Sequence, residues 1–65
     1  MFKECDIFKL KKEIENVPIE KGTIGNVLMC FDSTPPLGYL VEFCDDEGIT
    51  IAEIFLTEDF MEYVE

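Results

Sequence analysis

Residues 39–56 read YLVEFC, DDEG and ITIAEIFL in succession. The first and third runs are rich in β-branched and aromatic residues, which pack well on the pleated surface of a strand. The DDEG run ends in Gly48, and glycine adopts the positive φ of a hairpin turn without steric cost. A helix over residues 49–56 is the alternative, but the β-branched residues at its start favour a strand. The segment therefore predicts a β-hairpin.

Three further strands are expected on either side of this hairpin, over residues 7–10, within 22–31 and over 61–64. A polar excursion over residues 11–21 separates the first two strands, and a loop over 32–38 contains two prolines, which cannot donate to a β-ladder. Thr57 is placed to cap one short helical turn before the last strand. Strands at this spacing, with Gly and Pro turns, predict a small five-stranded all-β barrel. The prediction is one domain over residues 1–65.

The composition limits the chemistry that the chain can perform. Of its 65 residues 48% are hydrophobic, and its formal net charge is −10. The hydrophobic content and the positive mean hydropathy indicate a folded domain despite this charge. The sequence has no His and no Arg, so it can form no Ser-His-Asp triad and no bidentate arginine contact to phosphate. We therefore expect a protein that is not an enzyme and uses no cofactor.

The charge is distributed unevenly along the chain. All five lysines lie in the first 21 residues, where five acidic residues balance them, whereas residues 22–65 carry ten acids and no base. This acidic region disfavours direct binding to the phosphate backbone of DNA or RNA. One interpretation is an acidic surface that promotes solubility. The other is a surface whose self-repulsion is relieved by a basic protein partner.

The cysteines and the hydropathy of the chain indicate its setting. Cys5, Cys30 and Cys44 are odd in number and form no C-x-x-C motif. The N-terminus lacks the apolar region of a secretory signal peptide, and no run of about 18 apolar residues is present to span a membrane. Free, mostly buried thiols in a reducing cytoplasm are therefore expected, without contact to a membrane.

Two acidic clusters have structural interpretations that require no chemistry. Asp45, Asp46 and Glu47 are consecutive, so their side chains point in different directions rather than converging on a calcium ion. We expect them at the solvated tip of the hairpin. Glu58 and Asp59 lie at the start of the expected helical turn, where acidic residues are electrostatically favoured. No catalytic, cofactor-binding or metal-binding residue is predicted.

Strand alternation predicts a protein-binding face. If the glutamates of the strands face solvent, five apolar side chains face outward with them, namely Leu28, Cys30, Leu40, Ile51 and Phe55. An apolar patch rimmed by carboxylates is typical of a face that binds another protein. Leu40 and Phe55 are the expected apolar anchors. The expected steering rim consists of Glu42, Asp45, Asp46, Glu47 and Glu53. The alternative is that the tail and the polar excursion cover this face.

Residues 21–27, KGTIGNV, look like the K-G-x-x-G-x-V core of a KOW-type motif. In such a turn Gly22 directs the chain into the strand, and Gly25 permits a bend or a close approach of a neighbour. KOW proteins that bind RNA generally present basic and aromatic side chains around this turn. Here only Lys21 is basic, so RNA binding is not expected.

The order of the elements resembles that of a small bacterial SH3-like family catalogued as a domain of unknown function. The segments that carry the resemblance are Phe2-Lys3-Glu4, Asp6-Ile7, Leu10-Lys11-Lys12, Tyr39-x-Val41-Glu42-Phe43, Ile51-Ala52, Leu56-Thr57 and Asp59-Phe60-x-x-Tyr63. The resemblance covers nearly the whole chain and implies an SH3-like barrel without catalytic residues. The Pro35-Pro36 loop departs from the short glycine-containing turn of the family.

These observations favour a non-enzymatic, acidic SH3-like module that binds a basic protein. An antitoxin or immunity protein that masks a basic, nucleic-acid-acting toxin fits the charge and the size, because a compact acidic domain imitates the phosphate field that such a toxin binds. The alternative is a homo-oligomeric structural or accessory subunit, such as a homodimer, whose apolar patch closes on itself.

Overall fold

The computed structural model describes residues 2–31 and 38–64, which form five β-strands and one 3-10 turn. The elements are β1 (Ile7–Leu10), β2 (Ile24–Phe31), β3 (Gly38–Cys44), β4 (Thr50–Thr57), the 3-10 turn (Glu58–Phe60) and β5 (Met61–Tyr63). The predicted all-β fold, with one short helical turn before the last strand, is confirmed. The predicted loop that contains Pro35 and Pro36 lies outside the described residues.

The strands form one antiparallel sheet in the order β4-β3-β2-β1-β5. The sheet is not closed into the predicted barrel, because no ladder joins β4 to β5 in the described part of the chain. The 3-10 turn connects these two strands, and the three residues of β5 pair with β1 instead. Leu56 of β4 and Met61 of β5 nevertheless share one core. The sheet therefore curls around that core without closing its hydrogen bonds.

The core lies on the inner face of the sheet and receives side chains from every strand. The buried apolar residues are Phe2, Phe8, Leu10, Ile19, Val27, Tyr39, Val41, Phe43, Leu56 and Met61. Phe2, which precedes β1, packs edge-on against Tyr39 with 5.7 Å between ring centroids and stacks on Tyr63 at 4.4 Å. The N-terminal segment therefore supplies part of the cover of the core.

The polar excursion and the C-terminal tail supply the rest of that cover. Ile19 is buried in the core, and Ile14, Val17 and Phe60 pack against it. All four lie on the polar excursion or the C-terminal tail, the two segments that would cover the outer face under the alternative prediction. Because these segments pack on the core, the outer face of β3 and β4 keeps its exposed side chains, including Phe55.

The predicted hairpin between β3 and β4 is confirmed, and Asp45 organises its turn. The Asp45 N–H donates to the carbonyl of Ile49, and the Asp45 carbonyl accepts from the N–H of Gly48, whose φ is +82°. The Oδ1 atom of Asp45 also accepts hydrogen bonds of 2.9 Å from the N–H groups of Glu47 and Ile49. The side chain of Asp45 is therefore part of the turn, as expected for an aspartate that bonds backbone groups ahead of it.

The expected cap at Thr57 is not formed by its side chain. The Thr57 hydroxyl donates to Oδ1 of Asp59 instead. A carboxylate two residues further along offers a charged acceptor, and charge-assisted hydrogen bonds are stronger than those between neutral groups.

Candidate protein-binding face

The outer face of the sheet carries two neighbouring rows of side chains across β2, β3 and β4. Met29, Leu40 and Phe55 are opposite one another in the strand register and form an apolar row. Glu42 and Glu53 are opposite one another in the next row on the same face, which we call the carboxylate row. Residues two positions apart on a strand share a face. The apolar row therefore lies directly beside two acidic side chains.

The apolar row is exposed to solvent at both of its ends. Phe55 is 53% exposed and Met29 is 47% exposed, whereas Leu40, between them, is half-buried. Ile51, also expected to face outward, is exposed as well. The placement of Leu40 and Phe55 on one outer face thus agrees with the alternation of their strands.

A β-bulge in β2 changes which of its residues face outward. The register with β3 shifts between Val27 and Met29, so Leu28 is an extra residue in the strand. Simple alternation predicted Leu28 and Cys30 outside, but beyond a bulge every side chain changes face. Cys30 consequently packs against the core, with its Sγ 3.6 Å from the carbonyl oxygen of Phe2. Leu28 itself is half-buried.

The same bulge brings Phe31 to the outer face, where sequence alternation did not place it. Its ring lies 5.7 Å from that of Phe55, at an angle of 48°. Gly38 pairs with Phe31 in the sheet and lies beneath the ring of Phe55. A Cβ atom at Gly38 would lie 2.7 Å and 2.8 Å from two carbons of that ring. The glycine therefore allows Phe55 to lie over the backbone of β3 and to meet Phe31.

The carboxylate row places two like charges in direct opposition. Glu42 and Glu53 are register partners, and like charges in this position destabilise a sheet. The Glu42 carboxylate accepts a 2.7 Å hydrogen bond from the Thr50 hydroxyl. The single ion pair within residues 2–31 and 38–64 joins Lys12 to Asp59 at 3.0 Å, so it does not neutralise this row.

The three acidic residues of the hairpin tip lie at a distance from the apolar row. Asp45 follows the last residue of β3 and lies five positions after Leu40, which corresponds to roughly 17 Å at the rise of a β-strand. Asp45 is engaged in the turn, whereas Asp46 and Glu47 are exposed. Substitution of Asp46 or Glu47 therefore changes the charge of the tip without removing the hydrogen bonds that Asp45 makes in the turn.

The hydroxyl group of Tyr39 joins two other segments of the fold to β3. The Phe2 N–H donates to the oxygen of Tyr39 at 3.2 Å, and the Tyr39 hydroxyl donates to Oε2 of Glu58 at 2.5 Å. Burial raises the pKa of Tyr39, and the hydrogen bond to Glu58 raises it further. These bonds tie the N-terminal segment and the 3-10 turn to β3.

Within residues 2–31 and 38–64, no group of three or more Cys, Asp or Glu side chains is placed to hold a metal ion. The thiols differ from the expectation of mostly buried groups. Cys5 is exposed, on a turn where its φ is +72°, and Cys30 and Cys44 are half-buried. Cys44 is the last residue of β3, where the register of the ladder with β4 shifts.

Fold and face together define a small, acidic all-β domain with an exposed apolar row on one side of its sheet. The profile of the family described as "Domain of unknown function (DUF4926)" matches residues 4–63, and the chain belongs to this family. Neither the comparison with curated proteins nor that with solved structures finds a match. No helix within the described ranges is long and apolar enough to cross a membrane.

Proposed function

We propose that the chain is a non-enzymatic acidic module that binds a basic protein through the outer face of β2, β3 and β4. The observation that carries this proposal is the exposed apolar row of Met29, Leu40 and Phe55 beside the opposed pair Glu42 and Glu53. Apolar anchors next to charged groups are the usual anatomy of a protein-binding surface.

The opposed glutamates explain why the partner should be basic. In the free chain each carboxylate raises the electrostatic energy of the other. A lysine or arginine of a partner placed on this row would remove that repulsion and gain attraction from both groups. Residues 22–65 contain no base, so this compensation must come from outside the acidic region.

The strand order supports the finer classification of the fold as SH3-like. In the sheet β4-β3-β2-β1-β5, the first strand pairs with the last, and a 3-10 turn precedes that last strand. We propose an open sheet with SH3-like topology, in which the KOW-like segment of residues 21–27 forms the entry into β2.

Among basic partners, we propose a nucleic-acid-acting toxin in the cytoplasm, with the chain as its antitoxin or immunity protein. A protein that binds phosphates carries a positive surface, and a compact domain of charge −10 is attracted to such a surface over a long range. The same charge disfavours direct binding of the chain to nucleic acid.

The test is binding of a partner co-purified from native lysate and then purified by itself. The variant Glu42→Gln with Glu53→Gln keeps the hydrogen-bond acceptor for Thr50 but removes both charges. Its affinity should fall by about tenfold or more at low salt, while the free chain becomes slightly more stable. The matched control is Glu15→Gln with Glu20→Gln, two exposed acids of the polar excursion. Equal affinity of both double variants for the partner would contradict the proposal.

The alternative is a homo-oligomer, which the exposed apolar row would also serve. A second copy, however, brings another pair of glutamates and the same net charge. Sedimentation equilibrium at low salt separates the two functions: the proposed module is a monomer, whereas a dimer that persists at low and high salt would favour the accessory subunit.

A further inference from the structure

Within the described residues, β4 is an edge strand of the sheet. It is eight residues long, pairs with β3 on one side, and has no neighbouring strand on its other side in the described part of the chain. Natural edge strands are usually blunted by proline, by lysine or by short length. Residues 50–57 contain no proline, no lysine and no glycine, and Glu53 is their one charged residue.

The opposite edge of the sheet does not offer the same opportunity. β5 has three residues, and the acidic Glu62 is at its centre. An added strand would find few backbone groups to pair with there. Because main-chain hydrogen bonds supply the affinity of strand addition, binding at β5 would be weak. In the described part of the chain, β4 is therefore the longer edge for an added strand.

The rows of the outer face specify what an added strand must present. A strand next to β4 would continue the carboxylate row beyond Glu53 and the apolar row beyond Phe55. Its residue beside Glu53 would lie at the end of a row with two carboxylates, which favours lysine or arginine. The residue of the added strand beside Phe55 is two positions away from the residue beside Glu53 and lies on the same face. Its position next to the Phe55 ring favours an apolar side chain. Between them, one residue faces the half-buried Ile54 on the inner side.

We propose that β4 receives an extended segment of the basic partner as a sixth, antiparallel strand. In the N-to-C direction that segment reads apolar–apolar–basic, with the first residue beside Phe55, the second beside Ile54 and the basic residue beside Glu53. This inference rests on the proposed function and adds the form in which the partner is recognised. The antiparallel direction follows the other pairs of this sheet and is the more stable pairing.

Charge complementarity selects a partner segment over a second copy of the chain. A second β4 would bring no basic residue to Glu53, because residues 22–65 of every copy contain none. Each copy also carries a net charge of −10, so that two copies repel one another before their edges meet.

The probe is a synthetic peptide, acetyl-Thr-Val-Leu-Val-Lys-Val-Thr-amide, whose leucine, central valine and lysine fall beside Phe55, Ile54 and Glu53. Binding is followed by NMR of the ¹⁵N-labelled chain, together with amide hydrogen exchange. We expect every second amide of β4 to exchange more slowly when the peptide is bound. A peptide with glutamate in place of the lysine should bind at least about tenfold more weakly.

Backbone methylation of the peptide distinguishes strand addition from side-chain docking. In an antiparallel pair, only alternate N–H groups of the added strand point to β4. One peptide is N-methylated on its leucine and lysine, and a second on its three valines. Strand addition predicts that one of them loses binding and that the other keeps it within about threefold.

Equal binding of the two methylated peptides would overturn the added strand, and so would slower exchange at β5 rather than β4. Absence of binding by the unmethylated peptide would also overturn it. Slower exchange of β4 amides that grows with protein concentration, without peptide, would assign the edge to a second copy. None of these results would change the dependence of partner binding on Glu42 and Glu53, so failure of the inference and failure of the proposed function are distinguishable.

Discussion

Gly25 is placed between two phenylalanines on neighbouring strands. It pairs with Phe8 of β1 and with Phe43 of β3, and the two rings meet edge-on at 5.5 Å above it. A Cβ atom at Gly25 would lie 2.7 Å from a carbon of the Phe8 ring and 2.9 Å from one of the Phe43 ring. The positive φ within residues 21–27 belongs to Gly22 instead, at +96°. Close approach, rather than an unusual φ, is therefore what requires glycine at position 25.

Replacement of Gly25 tests this packing. Gly25→Val should lower the free energy of unfolding by about 2 kcal/mol or more, because a branched side chain must displace two fully buried rings. Thr23→Val, two residues earlier and only half-buried, should change it by less than about 0.5 kcal/mol. The measurement is urea unfolding of both variants, and similar costs at the two positions would contradict the account of Gly25.

The carboxyl group of Asp59 contacts both a hydroxyl and an ammonium group. The Thr57 hydroxyl, and then the Lys12 ammonium at 3.0 Å, hold the pKa of its carboxyl below the usual value of 3.8. A carboxyl whose pKa is lower in the folded state contributes stability above its unfolded pKa, and this contribution is lost as the pH falls through the folded pKa. The contribution is small because both charged groups are exposed.

Removal of either the Thr57 hydroxyl or the Lys12 ammonium should raise the pKa of Asp59. Thr57→Val should raise it more than Lys12→Met, since the Thr57 hydroxyl is the larger cause. Lys11→Met, which removes the same charge one residue earlier, is the matched control and should leave the pKa nearly unchanged. The measurement is an NMR titration of the Asp59 carboxyl carbon between about pH 2 and 6, a window around the ordinary aspartate pKa. A larger shift in the Lys11 variant than in the Lys12 variant would contradict the observed ion pair.

At the scale of the element, the hairpin between β3 and β4 could be predicted from the sequence. Its turn depends on two residues that the sequence identifies directly. Asp45 is at the start of the turn, and Gly48 is at the position with positive φ. The alternation of β3 and β4 also gave the correct faces for Leu40 and Phe55. Both features depend on short-range rules.

The bulge at Leu28 could not be predicted in the same way. Residues 27–31 are apolar throughout, so they give no alternation that would show where the register shifts. Only the pairing with β3 decides which of Met29 and Cys30 faces the core. The contribution of Phe31 to the outer face was missed for this reason.

Substitutions at the hairpin tip should separate the turn from the acidic surface. Asp45→Lys removes the acceptor of two backbone N–H groups and should cost about 1 kcal/mol or more of unfolding free energy. Asp46→Lys should leave stability unchanged or raise it slightly, because it only reduces local repulsion. Asp45→Asn keeps the acceptor oxygen and is the control. Chemical unfolding of the three variants is the measurement, and equal stability of the two lysine variants would show that the Asp45 side chain is dispensable for the turn.

For the whole molecule, the sequence indicated an all-β chain with five strands but could not indicate whether the sheet closes. Closure would require a ladder between β4 and β5, which only a three-residue turn separates. In the structure, β4 pairs with β3 and β5 pairs with β1. The inner position of the tail and of the polar excursion is likewise a long-range result. It arises because Ile19, Phe60 and Phe2 find the same core.

The net charge makes the stability of the whole molecule dependent on salt. If the carboxylates of residues 22–65 repel one another in the fold, NaCl should raise the melting temperature by screening them. The single ion pair in the described ranges, Lys12 with Asp59, loses little by the same screening because it is exposed. Thermal unfolding at low and high NaCl near neutral pH measures the effect. A fall in the melting temperature, or no change, would mean that repulsion does not limit stability.

The most direct test of the proposed protein-binding face is the dissociation rate of Phe55→Ala from the purified basic partner. Phe55 is half exposed and lies over Gly38, so the variant should keep its native spectrum. Its dissociation should accelerate by about 30-fold, corresponding to roughly 2 kcal/mol, with the association rate nearly unchanged. Val64→Ala, a comparably exposed apolar residue that follows β5 at the opposite edge of the sheet, should dissociate like the unchanged chain. An unchanged dissociation rate for a folded Phe55→Ala would contradict the proposal that this face binds the partner.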